Sequence, residues 1–220
     1  MKCVIISGGY IEDVFALEWL QKNIYDLLIV ADSGMEFLFR NQITPDVIAG
    51  DFDSVGQDAY EYFVENAHKI DKKIEILRLN PVKDDTDTEF VIREAIRRGA
   101  TTITVLGGTG TRLDHVLGNI HLLGIGLACD VTIELLDSHN RIRMVLDELM
   151  IEKATQFGDF VSILPFAGDA KGVSLKGFKY PLDNAELHSF SSLGISNEIV
   201  DETAVVQVKE GTLIVIESRD

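Results

Sequence analysis

Val47-Ile48-Ala49-Gly50-Asp51-Phe52-Asp53-Ser54 passes from an apolar stretch through one glycine into two acids set two residues apart. A short run of small and β-branched apolar residues closed by turn formers reads as a buried strand. The same pattern recurs on either side, at Cys3–Ser7, Leu27–Ala31, Ile74–Leu79, Ile103–Leu106 and Val131–Leu136. Between these runs lie helix-like stretches at Asp13–Lys22, Met35–Arg40, Ala59–Ala67, Glu89–Arg98 and Asp114–Leu127, with Gly99 as a stop signal. Strand and helix in alternation predict βαβ units and a largely parallel sheet covered on both faces. Beyond about Asn140 the pattern changes to short strands, at Arg141–Leu146, Phe160–Pro165, Gly172–Leu175, Ala204–Val208 and Thr212–Glu217, with Lys209-Glu210-Gly211 reading as a hairpin turn between the last two. The expected fold class is α/β: an N-terminal α/β domain over residues 1–140, then a smaller antiparallel β-sandwich domain over 141–220.

Composition narrows the function classes. The 220 residues carry 20 basic and 36 acidic side chains, a net charge of −16, with 46% hydrophobic and 25% charged residues. That charge is a poor match for nucleic acid or an anionic membrane. It also opposes a phosphorylated substrate unless metal ions stand between carboxylates and phosphates. The apolar N-terminal stretch is too short for a signal peptide or a membrane span. Cys3 and Cys129 both sit in apolar runs and read as buried thiols, so a reducing, cytoplasmic setting is expected.

The chemistry gathers at strand ends. Asp51 and Asp53, two apart in an extended segment, are expected to point the same way and to offer hard oxygen ligands suited to magnesium. Asp and Ser there also suit a plain turn cap. A second cluster, Lys83-Asp84-Asp85-Thr86-Asp87-Thr88-Glu89, has capping-box spacing from Thr86 to Glu89, which leaves most of its acids unexplained. Asp32 ends another strand, in Val30-Ala31-Asp32-Ser33-Gly34. Three strand ends carrying aspartates favour convergence on a metal. Gly107-Gly108-Thr109-Gly110-Thr111-Arg112-Leu113-Asp114-His115 forms a glycine loop before a helix, a good phosphate cradle with Arg112 as a fork for phosphate oxygens. It matches neither the P-loop nor the dinucleotide pattern, and the other histidines show no zinc spacing.

Taken in order, Ala31-Asp32-Ser33-Gly34, Gly50-Asp51-Phe52-Asp53-Ser54, Lys83-Asp84-x-Thr86-Asp87, Gly107-x-x-Gly110-x-Arg112-x-Asp114-His115-x-x-x-Asn119 and Ser192-x-Gly194-x-Ser196-Asn197-Glu198 resemble the thiamine pyrophosphokinase family. The resemblance covers nearly the whole chain. It implies an ATP- and magnesium-binding catalytic domain, a thiamine-binding β-sandwich, and a homodimer whose active sites are shared between subunits. It makes Asp51, Asp53 and Asp87 the magnesium set, with Asp32 and Asp84 close by. It places Asp32, Asp84, Lys83, Gly107, Gly110, Arg112, Asp114, His115 and Asn119 at ATP, makes Asp51, Asp53, Asp87, Lys83 and Arg112 catalytic, and puts Ser192, Ser196 and Asn197 at thiamine. Ser33 departs from the second glycine the family often shows, and the sole tryptophan, Trp19, lies in a helix far from the late tryptophan of some relatives. The rival readings are a magnesium-dependent nucleotide phosphohydrolase and a non-catalytic thiamine or nucleotide sensor.

Overall fold

The computed structural model describes residues 1–80, 84–110 and 112–220; Lys83 lies outside them. Six strands of the first unit, Met1–Ser138, are β1 (Lys2–Ile6), β2 (Leu27–Ala31), β3 (Val47–Gly50), β4 (Glu75–Arg78), β5 (Thr102–Leu106) and β6 (Thr132–Leu136). All their pairings are parallel, in the order β4-β3-β2-β1-β5-β6. Every residue of β2 and β3 is buried, which explains runs that are apolar throughout instead of alternating. From β1 the chain winds outward through β2, β3 and β4, then returns to lay β5 on the other flank of β1. A crevice at the carboxyl ends of β1 and β5 follows from that reversal, and open α/β sheets bind ligands at such a point.

Helices α1 (Asp13–Lys22), α2 (Met35–Arg40), α3 (Gln57–Tyr60), α4 (Asp87–Arg97) and α5 (Leu113–Cys129) connect the strands. The capping box is real at one end: the Glu89 N–H donates to Thr86 Oγ1 at 3.2 Å at the start of α4. The chain leaves α4 through Gly99 at φ 89°, a conformation glycine takes cheaply. The single helix expected over Ala59–Ala67 is instead α3 followed by a π turn at Glu61–Glu65. Cys3 is buried as expected, but Cys129 is exposed, because it closes α5 at the helix end, beyond the buried Leu123 and Gly126. No helix among the described residues is long and apolar enough to cross a membrane.

The second unit, His139–Asp220, contains β7 (Asn140–Val145), β8 (Glu148–Glu152), β9 (Phe160–Lys176), β10 (Leu182–Leu187), β11 (Thr203–Gln207) and β12 (Glu210–Ser218). All pairings are antiparallel, in the order β7-β12-β9-β11-β8, with β10 on β9. The hairpin expected at Lys209-Glu210-Gly211 is not formed: β9 lies between β11 and β12. The physical reason is the length of β9. Its first half pairs with β12 and its second half with β10 and β11, across a bend where Ala167, Gly168 and Gly172 all take positive φ. Phe160–Pro165 and Gly172–Leu175, read separately in the sequence, are therefore parts of one bent strand. Val161, Ile163, Val173, Leu175, Val206 and Val215 fill the core of this unit. One charge is buried with them: Glu217, fully enclosed, pairs with Arg143 and accepts the Phe157 N–H at 2.8 Å.

Candidate functional site

At the crevice between β1 and β5 two glycine loops meet backbone to backbone. The Gly9 N–H donates to the Gly107 carbonyl at 2.9 Å, and the Ser7 N–H to the Leu106 carbonyl at 2.8 Å. Bare backbone is what permits this approach. A methyl carbon on Gly8 would collide with Ser33 Oγ, so the serine that departs from the family pattern is accommodated by the glycine opposite it. The crevice opens into a cavity of about 540 Å³, lined by the segments that follow β1, β2, β3 and β5 and by the start of α4, a size suited to a nucleotide-sized ligand. Ser7, Gly8, Gly9 and Tyr10 line it although the motifs did not single them out. Their signal was the Gly-Gly pair directly after the first strand of a parallel sheet.

The acids converge, though not in the way an extended chain would arrange them. Asp32, Asp51 and Asp53 each bring one carboxylate oxygen within 4.8 Å of the others. Phe52, expected to continue a strand, takes φ 67° instead, so a left-handed turn brings its two neighbours together. The Asp53 N–H donates to Asp51 Oδ1 at 3.2 Å within that turn. Asp32 also has positive φ, 41°, and is only 7% exposed. Ser54 Oγ donates to Asp32 Oδ2, while Asp32 Oδ1 is buried without a hydrogen-bond partner among the described residues. A buried carboxylate with one unpartnered oxygen, grouped with two further carboxylates, is unfavourable alone and is the donor set a hard divalent cation takes. The residues present therefore fit magnesium.

Asp87 lines the same cavity outside that group of three, next to Asp85 and Thr86. Asp84 is exposed and is not among the lining residues. Of the phosphate candidates, Gly107, Gly110, Arg112, His115 and Asn119 line the cavity, and Arg112 is the only permanent cation among its described lining residues. Asn119 Nδ2 donates to the Gly108 carbonyl at 2.7 Å, which pins the glycine loop to α5. Arg112 Nη2 donates to Asp114 Oδ2 at 2.6 Å. This contact raises the guanidinium pKa and lowers that of the carboxyl. Both side chains are more than 60% exposed, so the pair is cheap to open toward an anion. Asp114 thus holds the arginine and lines a smaller adjoining cavity with His115 and Asn119.

In the second unit, Ser192 and Ser196 are exposed, and Ser196 stands at φ 55°. Asn197 is different. It is 4% exposed, its Oδ1 accepts the N–H groups of Tyr180 and Glu198 at 3.0 and 2.9 Å, and its Nδ2 donates to the Tyr180 carbonyl at 2.8 Å. Both amide atoms of the side chain expected to contact thiamine are engaged by backbone groups, so Asn197 clasps Tyr180 to the segment 197–198.

Comparison with known proteins follows the same division of the chain. Residues 19–134 match the family model described as thiamin pyrophosphokinase, catalytic domain, and residues 148–213 the one described as thiamin pyrophosphokinase, vitamin B1 binding domain. A thiamine pyrophosphokinase of Bacillus subtilis is 34% identical over 198 residues, covering 89% of each chain. Among solved structures, a Bacillus subtilis thiamine pyrophosphokinase superposes with a TM-score of 0.87 at 32% identity, covering both chains completely. One from Geobacillus thermodenitrificans gives 0.85 at 28% identity, covering 100% of this chain and 98% of that one.

Proposed function

The chain belongs to the thiamin pyrophosphokinase family, and from that premise we propose that it transfers the diphosphate of ATP to the hydroxyl of thiamine. The observation that carries this reading is the Asp32–Asp51–Asp53 group with its orphaned carboxylate oxygen, set beside a glycine-lined crevice and one arginine. Asp32, Asp51 and Asp53 would hold magnesium, with Asp87 at the same cavity. When bound, the metal supplies charge neutralisation at the phosphate oxygens. The hydroxyl oxygen of thiamine attacks the β-phosphorus, the bond from that phosphorus to the α,β-bridging oxygen breaks, and AMP leaves. A carboxylate of the pocket takes the hydroxyl proton. Such a transfer needs alignment and charge stabilisation more than covalent help. The backbone amides after β1 and β5 orient the phosphates, and Arg112, joined by Lys83 as the resemblance implies, faces the charge that builds toward AMP.

Thiamine is itself a cation, so the acidic balance of the chain favours its approach. The second unit would hold it near Ser192 and Ser196, with Asn197 shaping the segment. We also read the enzyme as a cytoplasmic homodimer with shared sites. Exposed apolar side chains support the dimer in each unit: Leu113 and Leu117 on α5, and Phe190, Leu193 and Ile195 beside the two serines. A second copy would cover them. Two experiments test the proposal. AMP release from ATP and magnesium should depend strictly on thiamine, and release without it would refute the transfer. Co-refolding Asp51→Asn with a pocket-blocking Ser196→Trp variant should restore activity through mixed dimers with one intact site. A mixture that stays inactive would refute shared sites.

A further inference from the structure

We infer that Phe52 is a positioning residue for the two acids that flank it, acting through a brace it forms with Tyr60 and Arg78; the inference rests on the reading of Asp51 and Asp53 as cation ligands. A bulky side chain at φ 67° is out of place by its own preferences. Glycine is the residue that takes such a turn without strain, so something else holds phenylalanine there. Its ring is buried, 8% exposed. The ring meets that of Tyr60 edge-on, with centroids 5.8 Å apart, and lies 5.6 Å from the Arg78 guanidinium carbon above its face. Arg78 Nη2 in turn donates to the Tyr60 hydroxyl at 3.1 Å. Each of the three side chains therefore touches the other two.

The anchors belong to separate elements. Tyr60 is the last residue of α3, and Arg78 is the last of β4, paired in register with Gly50 at the end of β3. The ring is thus gripped from the helix that follows the turn and from the strand beside it. An extended residue at position 52 would keep its neighbours in strand geometry, whereas the left-handed turn brings Asp51 and Asp53 together with Asp32. Burying the ring stabilises the backbone angle that the acids need. Without the ring, the turn relaxes and the carboxylates spread.

Manganese binding to the nucleotide-free full chain, followed by electron paramagnetic resonance, tests the brace apart from turnover. Phe52→Ala should weaken manganese binding about tenfold or more, in the range seen when the groups supporting a metal site are removed. Phe52→Gly should weaken it as much, although glycine accepts the left-handed angle without strain. Phe52→Tyr, which keeps the buried ring, should stay within about twofold. Arg78→Met and Tyr60→Phe, which spare the ring and report even where Phe52→Ala fails to fold, should each weaken binding about threefold. Asp51→Asn sets the scale. Wild-type affinity in Phe52→Ala and Phe52→Gly, or in both brace variants, beside a weakened Asp51→Asn, overturns the brace alone. Undiminished affinity in Asp51→Asn overturns the metal reading and the inference with it.

Discussion

Two short segments, the turn Asp51-Phe52-Asp53 and the strap from Ser192 to Glu198, share several features and differ in one that matters. Both follow or flank buried strands, both carry polar residues in close spacing, and both contain a non-glycine residue in the left-handed region, Phe52 at φ 67° and Ser196 at φ 55°. In the first, the polar atoms converge on a cavity and one carboxylate oxygen beside them lacks a partner. In the second, the most buried polar side chain, Asn197, spends its amide on three backbone groups. Unsatisfied polarity beside a cavity fits a ligand site, and satisfied polarity fits a scaffold. The same kind of motif in sequence can be either.

That contrast is broken most readily at Asp51. Asp51→Asn preserves shape while removing one charge from the group, and kcat should fall roughly 100- to 1,000-fold with thiamine affinity unchanged. Near wild-type turnover at limiting magnesium would erase the distinction between the two segments. Asn197→Ala should act on the other side of the comparison. It strands the Tyr180 N–H and carbonyl and the Glu198 N–H, so unfolding by urea should show a loss of about 2–4 kcal/mol, against roughly 0.5 kcal/mol or less for the exposed Ser192→Ala. A stable Asn197→Ala protein with a selective rise in thiamine KM would instead make Asn197 a direct ligand. Arg112→Ala should lower kcat/KM for ATP about tenfold or more, through kcat as well as KM, because a charge-assisted contact to the phosphates and to the charge building toward AMP is lost, with thiamine KM unmoved; equal rises in both KM values would contradict the assignment.

How far the sequence could be read follows the same physics. The strand β2 and the helices α1 and α2 were legible to the residue, because buried parallel strands and amphipathic helices impose a local pattern. The partner of β9 was not legible. Whether β12 pairs with β11 or with β9 depends on a bend near Ala167–Gly172 and on contacts far apart in sequence. At the site, the sequence showed that aspartates gather at the strand ends, but the magnesium set implied by the resemblance held Asp87 where the structure groups Asp32 with Asp51 and Asp53; the left-handed turn at Phe52 was not legible, since phenylalanine gives no local sign of it. Nor did the strap reveal that Asn197 faces inward.

The smallest expected effect sharpens the comparison from outside both segments. Asp169 accepts the Ser189 N–H at 2.8 Å, the His188 Nδ1–H at 3.0 Å and the Ser189 hydroxyl at 2.9 Å, which pulls its carboxyl down to about 2. The same carboxylate raises the His188 pKa above its ordinary 6.5. With a raised folded pKa, the His188 contribution to stability is fully present below 6.5 and is lost as pH rises through the folded value. With a lowered one, the Asp169 contribution is present above 3.8 and is lost as pH falls through about 2. Proton NMR should find His188 titrating above 6.5 and moving down toward it in Asp169→Asn. An unmoved His188 would leave this loop unpaired in solution.

The central claim is that the strand-end carboxylates serve the movement of a diphosphate, and the products read it most directly. Phosphorus-31 NMR of the full chain with ATP, thiamine and magnesium should show thiamine diphosphate and AMP growing in equal amounts, with no ADP and no free phosphate. ADP with thiamine monophosphate, or inorganic phosphate released whether or not thiamine is present, would contradict it.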